Sequence, residues 1–574
     1  MSTAFSHSLQ SLKPTTRDLV VLLGLALLMY AAGLGLRDPW PADEPRFALI
    51  AREMVQSGQW LFPVIGGEYY ADKPPLYFWI MAAFYALTGS MRVAFLLPSL
   101  VAALASIVLI YDLARRLFNR DAAFGAALLL TFTFAFAWQA RAAQIDMTVT
   151  AFILLSLYAL LRHLLEKPDW RLYSLAGFAA GLGVITKGVG FLPFLALLPY
   201  LIMRWRGWKF PRIEPAGWRW ALAPLAMLLA IALWLVPVLL RVSASGDPAL
   251  IEYRDNILLQ QTVTRYAESW HHVQPFYYYV VEVIPFLWLP LSMLLIWLVP
   301  RWRKALAAQD ARVWLPLGWA ILVVIFFSLS PGKRGVYIVP AIPAVVLAAA
   351  PHLKELWARR DVQLAGLVLT VAIGVLMGGA YLLATVWQPA KARELVESAG
   401  PIPWSALACV AIISLVAAIV CRRRAGLVAL AFALGSIWLY LGWVIGPAMT
   451  GARSGADFVA QALAKAPAGH ELGLVAYKEQ FLLYLDRPVV NFGHRRWREG
   501  PQESYDAARW LDAAPNRALL VDEAQQAQCF LGAAWTVFAG TASDMRWSWV
   551  TGPADPKCAA LGKGSAILYR PPRS

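Results

Sequence analysis

The segment WPADEPRFALIAREM, Trp40 to Met54, ends an apolar run with an acidic pair, Asp43 and Glu44, followed by Arg46. The segment GGEYYADKPPLYFW adds Glu68, Tyr69, Tyr70, Asp72 and Lys73 directly before Pro74 and Pro75. The prolines hold the preceding backbone extended, so Lys73 is expected on a defined turn and not in a helix. Asp146 closes QARAAQID, Lys187 lies in ITKGVGF, and SPGKRGVY carries Lys333, Arg334 and Tyr337. Arg254 and Arg265 belong to a longer polar segment. Cations in such a set suit a phosphate or pyrophosphate group. The carboxylates suit sugar hydroxyls, an amine, a metal or an acceptor proton.

Each residue taken alone also has a plain structural explanation. An acid at a helix start satisfies free N–H groups and suits the helix dipole. A lysine beside a bilayer can extend to water, and one at the depth of Lys187 needs an anion. His271 and His272 are adjacent, and neighbouring side chains diverge. One of them, with Asp72, Glu68 or Glu268, is a candidate set for a divalent metal ion. No Walker motif, dinucleotide fingerprint, HExxH or CxxC occurs, so no nucleotide cofactor is expected.

What favours chemistry is company on one side of a membrane, which depends on the elements that carry these residues. The chain has 574 residues, 59% hydrophobic and only 15% charged, against about a quarter charged in soluble domains. Apolar runs long enough to cross a bilayer are expected at about 18–37, 92–113, 122–138, 147–162, 173–187, 189–204, 219–241, 276–300, 313–329, 335–350, 361–386, 402–421 and 425–449. This predicts a polytopic α-helical membrane protein with about thirteen transmembrane helices. The net charge of +16 resides largely in clusters beside the apolar runs, such as RWRGWK at 204–209 and RRR at 422–424. That is the positive-inside pattern of cytoplasmic loops and not a nucleic-acid surface.

With a cytoplasmic N-terminus every strong basic cluster lies inside, and all the candidate site residues lie outside. Residues 1–449 are read as the membrane domain, with external segments 38–91 and 242–275. Within 38–91, EPRFALIAREMVQSG and PPLYFWIMAAFYALTG are amphipathic or too short to span, and are expected to lie in the interface. Residues 450–574 read as a small soluble α/β domain: GADFVAQALAKA and SYDAARWLDAA have helical spacing, while LGLVAY, RPVVNF, RALLVD and AILYR suit strands. Cys529 and Cys558 both fall in this domain, on a side that permits a disulfide, and bridged and free states both remain open. Cys409 and Cys421 belong to one span and suit packing.

PADEPRFALIAREM, GEYYADKPPLYFW, QIDM, TKG and SPGKRGVYIVPAIP, in that order, resemble the bacterial 4-amino-4-deoxy-L-arabinose lipid A transferases. These are C-type glycosyltransferases, a group that includes protein O-mannosyltransferases. The resemblance covers essentially the whole chain. It implies a GT-C fold with juxtamembrane helices and a periplasmic α/β domain, in the bacterial inner membrane. The implied reaction moves the aminosugar from undecaprenyl phosphate to a lipid A phosphate at the periplasmic face, which lowers negative charge and protects against polymyxin-like peptides. By motif, Asp43 matches the catalytic acidic position and Lys73 the lysine that holds the carrier phosphate. Arg46, Tyr70, Asp72 and Asp146 match neighbouring functional positions, and Arg265 and Tyr337 further ones. Glu44 and Asp146 are grouped with Asp43 as catalytic candidates, and Lys187 and Lys333 with the phosphate-binding cations. The sequence DKPP departs from the Glu-Lys-Pro of enterobacterial members, which keeps another sugar open.

An inverting, in-line displacement is expected. If the acceptor is a hydroxyl, Asp43 is the candidate base; an ionised phosphate needs none, and Asp43 would then position the acceptor or a metal, or pair with the donor amine. The partners expected are the lipid-linked sugar, lipid A and the bilayer, with no nucleic acid and a monomeric protein. The alternatives are a polyprenyl-phosphate-dependent transferase of a hexose or hexuronate to lipid A or protein, a secondary transporter and a non-enzymatic lipid-binding protein. Transport is disfavoured because the charges gather at one side, without matched broken-helix halves.

Overall fold

The computed structural model describes residues 13–213, 217–258, 273–493, 501–542 and 545–571. In chain order its main helices are α1 (Pro14–Tyr30), α2 (Glu44–Ser57), α3 (Leu76–Thr88), α4 (Leu97–Leu117), α5 (Arg120–Phe132), α6 (Phe134–Ala140), α7 (Ile145–Leu165), α8 (Trp170–Lys187), α9 (Leu222–Ser245), α10 (Leu291–Ala307), α11 (Ala311–Leu329), α12 (Ala341–Ala349), α13 (Arg360–Leu382), α14 (Trp404–Cys421) and α15 (Gly426–Tyr440). Among the described residues, seven helices are long and apolar enough to cross a membrane, or up to nine if each bent pair counts as one.

Hydropathy predicts about thirteen spans, and the difference has physical causes. The runs at 189–204 and 335–350 fold into short helices, Leu192–Trp205 and Ala341–Ala349. Helix α5 meets α6 at 68°, and Tyr279–Leu287 meets α10 at 112°. The two breaks support each other: the Phe134 amide, which begins α6, donates to the Leu289 carbonyl at 2.8 Å. Backbone freed at a break inside an apolar bundle must find such a partner.

Helices α8 and α9 approach through glycine. A Cβ at Gly177 would lie 2.0 Å from the Ala223 carbonyl oxygen, and one at Gly181 would lie 2.5 Å from that of Met227. Small residues at this four-residue spacing let helix backbones touch. Asp169 caps the start of α8 by accepting from the Arg171 and Leu172 amides, and left-handed Gly188 ends it directly after Lys187.

Helices α2 and α3 occur where the amphipathic segments predict them, joined by a hairpin of β1 (Val64–Ile65) and β2 (Glu68–Tyr69). The expectation that α2 lies in the lipid interface is corrected. Its residues Glu44, Pro45, Phe47 to Arg52 and Met54 are buried, because the C-terminal unit covers it. That unit holds a mixed six-stranded sheet of β3 (Glu471–Leu474), β4 (Val489–Asn491), β5 (Arg517–Asp522), β6 (Trp535–Ala542), β7 (Met545–Thr551) and β8 (Ile567–Tyr569), in the order β6-β7-β5-β3-β4-β8. Only the β3–β4 and β3–β5 pairs are parallel.

Helix α16 (Glu479–Leu483) and one face of the sheet share a core with α2, in which Phe47, Ile50 and Met54 meet Phe481, Leu482, Trp547 and Tyr569. Helix α17 (Gln502–Asp512) belongs to a second core with Leu519, Val521 and the Cys529–Cys558 disulfide. Polar contacts seal the seam. Arg52 donates to the Leu482 and Leu483 carbonyls at 2.8 Å and to the Tyr569 hydroxyl at 3.0 Å. Asn491 donates to the Gly66 carbonyl at 3.0 Å, and Glu53 accepts from the Gly66 amide at 3.0 Å.

Two predictions follow from this packing. Replacing Gly177 by Leu should destabilise the protein by about 1–3 kcal/mol, the usual cost of overpacking, and detergent thermal unfolding would read it. Burial pushes the Glu53 carboxyl up to about 7 from 4.5, against the opposing Gly66 amide and Arg52 charge. The folded state then binds more protons than the unfolded state between those values, so stability falls as pH rises through that window. Melting curves of Glu53→Gln should be flatter than wild type from about pH 5 to 8.

Candidate active site

The chain ahead of α2 supplies Asp43, and the first turn of that helix supplies Arg46. Asp43 occupies the position before the helix, but its side chain makes no capping hydrogen bond, so the capping explanation is set aside. Its carboxylate lies 3.6 Å from Arg334. The β1–β2 hairpin delivers Tyr70, whose amide donates to the Pro63 carbonyl at 2.7 Å. Asp72 and Lys73 follow, on the turn that the prolines impose before α3. Asp146 sits in the first turn of α7, and Lys187 is the last residue of α8. Arg334 and Tyr337 come from a short turn after α11.

All of these residues line one cavity of about 90 Å³. Its walls carry three carboxylates (Asp43, Asp72, Asp146), four cations (Arg46, Lys73, Lys187, Arg334) and the rings of Phe47, Tyr70 and Tyr337. The anion that Lys187 needs is Asp146, to which it is directly paired. Its ammonium also stands 4.6 Å from the centre of the Tyr337 ring, an electrostatically favourable contact. Burial disfavours the charged form of Arg46, but Glu479, Tyr70 and Asp43 overcome it and hold the guanidinium protonated. Glu479 binds Arg46 through contacts of 2.7 Å to Nε and 2.6 Å to Nη2. A larger apolar cavity of about 580 Å³ lies among Asp18, Arg120, Phe132, Leu294, Lys354 and Leu434, and holds none of the predicted site residues.

Two predicted site residues stand elsewhere. Glu44 is buried and does not line the cavity. It accepts two bonds from Arg37, at 2.5 and 2.8 Å, one from the Trp40 amide at 2.9 Å and one from the Ala143 amide at 3.0 Å. A carboxylate engaged in this way holds the loops before α2 and α7 together. Lys333 is also buried away from the cavity, where it donates to the Gln274 carbonyl at 2.8 Å; its neighbour Arg334 faces the site instead. Arg265, His271 and His272 lie outside the described residues. Among the described residues no group of three or more His, Cys, Asp or Glu could hold a metal ion; of the predicted metal set, Asp72 and Glu68 are described, and Glu268, His271 and His272 are not.

Arg37 and Glu479 were not among the residues expected from sequence. Arg37 ends the first apolar run and reads as an ordinary boundary cation. Glu479 is 433 positions from Arg46, and no local pattern connects them.

Known proteins resemble this chain in sequence and in fold. A profile for dolichyl-phosphate-mannose-protein mannosyltransferases matches residues 72–240. An undecaprenyl phosphate-alpha-4-amino-4-deoxy-L-arabinose arabinosyl transferase of Pseudomonas savastanoi pv. phaseolicola is 30% identical over 59% of this chain and 62% of its own length. One of the same name from Pseudomonas aeruginosa PAO1 is 32% identical over 65% of this chain and 66% of its own. The chain thus matches just under two thirds of these relatives' lengths. In fold it superposes on ArnT from Cupriavidus metallidurans bound to undecaprenyl phosphate with a TM-score of 0.68, at 22% identity, over 95% of this chain and 98% of that one. The apo form of that protein gives 0.70 at 22% identity, over 96% of this chain and 99% of that one. Motif order, sequence relatives and fold agree: the chain is similar in sequence to the undecaprenyl phosphate aminoarabinose arabinosyl transferases and shares the GT-C fold of ArnT.

Proposed function

We propose that the protein transfers 4-amino-4-deoxy-L-arabinose from undecaprenyl phosphate to a lipid A phosphate at the periplasmic face of the inner membrane, and so lowers surface negative charge and protects against polymyxin-like peptides. The observation that carries this reading is the single cavity in which Lys73, Arg46, Arg334 and Lys187 meet Asp43, Asp72 and Asp146. The names of the sequence relatives support the sugar and the carrier. Positive-inside charge supports an outward-facing site, about thirteen membrane passes and a periplasmic α/β unit. The protein is proposed to act as a monomer.

In the proposed reaction a lipid A phosphate oxygen attacks the anomeric carbon as the bond from that carbon to the carrier phosphate oxygen breaks. The electron pair leaves with undecaprenyl phosphate, which gains one negative charge. Lys73 and Arg46 stabilise that developing charge, which fixed cations do best where water is excluded. The attacking phosphate is already ionised, so no base is required. Asp43 and Asp146 then hold the aminosugar through its ammonium and hydroxyl groups. Displacement in line inverts the anomeric centre. A divalent ion at Asp72, with His271 or His272, belongs to the proposal as well, and no step depends on it.

Lipid A from a polymyxin-sensitive strain lacking its own aminoarabinose transferase tests the reading. Expression of the wild type should add one aminopentose mass per modified phosphate. A different added mass would point to another sugar, and none, at full membrane levels, would reject lipid A as acceptor. Asp43→Asn should lower transfer roughly a hundredfold with little change in melting temperature. Glu44→Gln should instead destabilise the fold by about 2–4 kcal/mol, because it leaves the largely buried Arg37 without its charge partner.

A further inference from the structure

We infer that the C-terminal α/β unit is part of the phosphate-binding apparatus, with Glu479 as a positioning residue that aims the Arg46 guanidinium at the carrier phosphate. The inference rests on the reading of the cavity proposed above, and it assigns to the C-terminal unit a role beyond covering α2.

Glu479 begins α16, and its side chain is 12% exposed; that of Arg46 is 26% exposed. One carboxylate oxygen takes both Nε and Nη2 of Arg46, at 2.7 and 2.6 Å. A guanidinium presents five N–H groups in a rigid planar fork. Fixing one edge of the fork therefore fixes the direction of the other, and Arg46 is a wall of the cavity. A long, flexible side chain held in this way before substrate arrives loses less entropy when the phosphate binds.

Glu479 is itself held. Helix α16 is bound to α2 at both ends. Arg46 grips its first residue, and Arg52 donates to the Leu482 and Leu483 carbonyls at its other end. Between these clamps Phe481 and Leu482 share a core with Phe47, Ile50 and Met54. The position of the sheet is thereby transmitted to the guanidinium through packed side chains and one partly buried ion pair.

The test is binding of undecaprenyl phosphate to the purified full-length protein in detergent, followed by tryptophan fluorescence or native mass spectrometry. Wild type, Arg46→Ala, Glu479→Gln, Glu479→Asp and the Arg46→Ala/Glu479→Gln double variant would be compared, each checked for folding by thermal unfolding. Glu479→Gln should weaken Kd by roughly tenfold, and Glu479→Asp, which keeps the charge, by less. The double variant should bind no worse than Arg46→Ala alone, since a residue that acts through another shows coupling and not additivity. Unchanged Kd in Glu479→Gln, or effects that add fully, would overturn the inference. Failure of the wild type to bind undecaprenyl phosphate would overturn the carrier reading and this inference with it. Carrier binding without aminoarabinose transfer would remove the sugar assignment alone and leave the role of Glu479 intact.

Discussion

The buried Glu44 carboxylate, with Arg37 and the amides of Trp40 and Ala143 around it, joins the two loops from which the site is made. One loop ends in Asp43 and starts α2; the other leads through Gln144 to Asp146 and α7. A carboxylate out of water is tolerated only when paired and hydrogen-bonded, and here both oxygens are engaged. Arg37 is tied further, to the Asp38 carbonyl at 3.1 Å and the Arg141 carbonyl at 3.3 Å. Arg141 in turn donates to carbonyls at the end of α1, including that of Ala32 at 2.9 Å. Asp43 and Asp146 therefore line one cavity beside loops held by buried charge.

On this frame the cations are arranged by pairing and not by avoidance. Lys187 is paired with Asp146, Arg46 with Glu479, and Arg334 approaches Asp43. Each is thus given a direction near an apolar bundle, where an unpaired charge would be expensive. The proposed reaction brings a donor phosphate and an acceptor phosphate together. A cluster of cations with fixed directions lowers that repulsion without having to reorganise as charge develops. The C-terminal sheet closes over α2, the helix that carries Arg46.

Much of this was legible locally. The short motifs that carry Asp43, Lys73, Asp146, Lys187 and Tyr337 all arrive at the cavity, and the turn before Pro74 and strands β3, β4, β5 and β8 form where the local pattern places them. What failed was direction and distance. Asp43 and Glu44 are neighbours of like chemistry, yet successive helix positions diverge by about 100°, and one faces the cavity while the other faces the bundle. Lys333 and Arg334 part in the same way. Glu479 and Arg46 meet only through tertiary packing. The β6–β7 hairpin, in which Trp547 and Trp549 are buried, was not read as strands because its apolar and small residues do not alternate cleanly through Gly540, where the pairing has a bulge. The amphipathic pattern of α2 was correct, but one apolar face cannot reveal whether lipid or a sheet will cover it. Hydropathy registers apolar content and not the bends between α5 and α6 or before α10.

The position of the carrier phosphate decides whether Lys73 and Arg46 serve as its site. A cryo-electron microscopy structure of the protein with undecaprenyl phosphate would decide it. The account predicts phosphate density between Lys73 and Arg46, beside Asp43, with the Arg46–Glu479 contact preserved. Density at the Asp18–Arg120 end of the larger apolar cavity, with the Lys73 cavity empty of lipid, would contradict it.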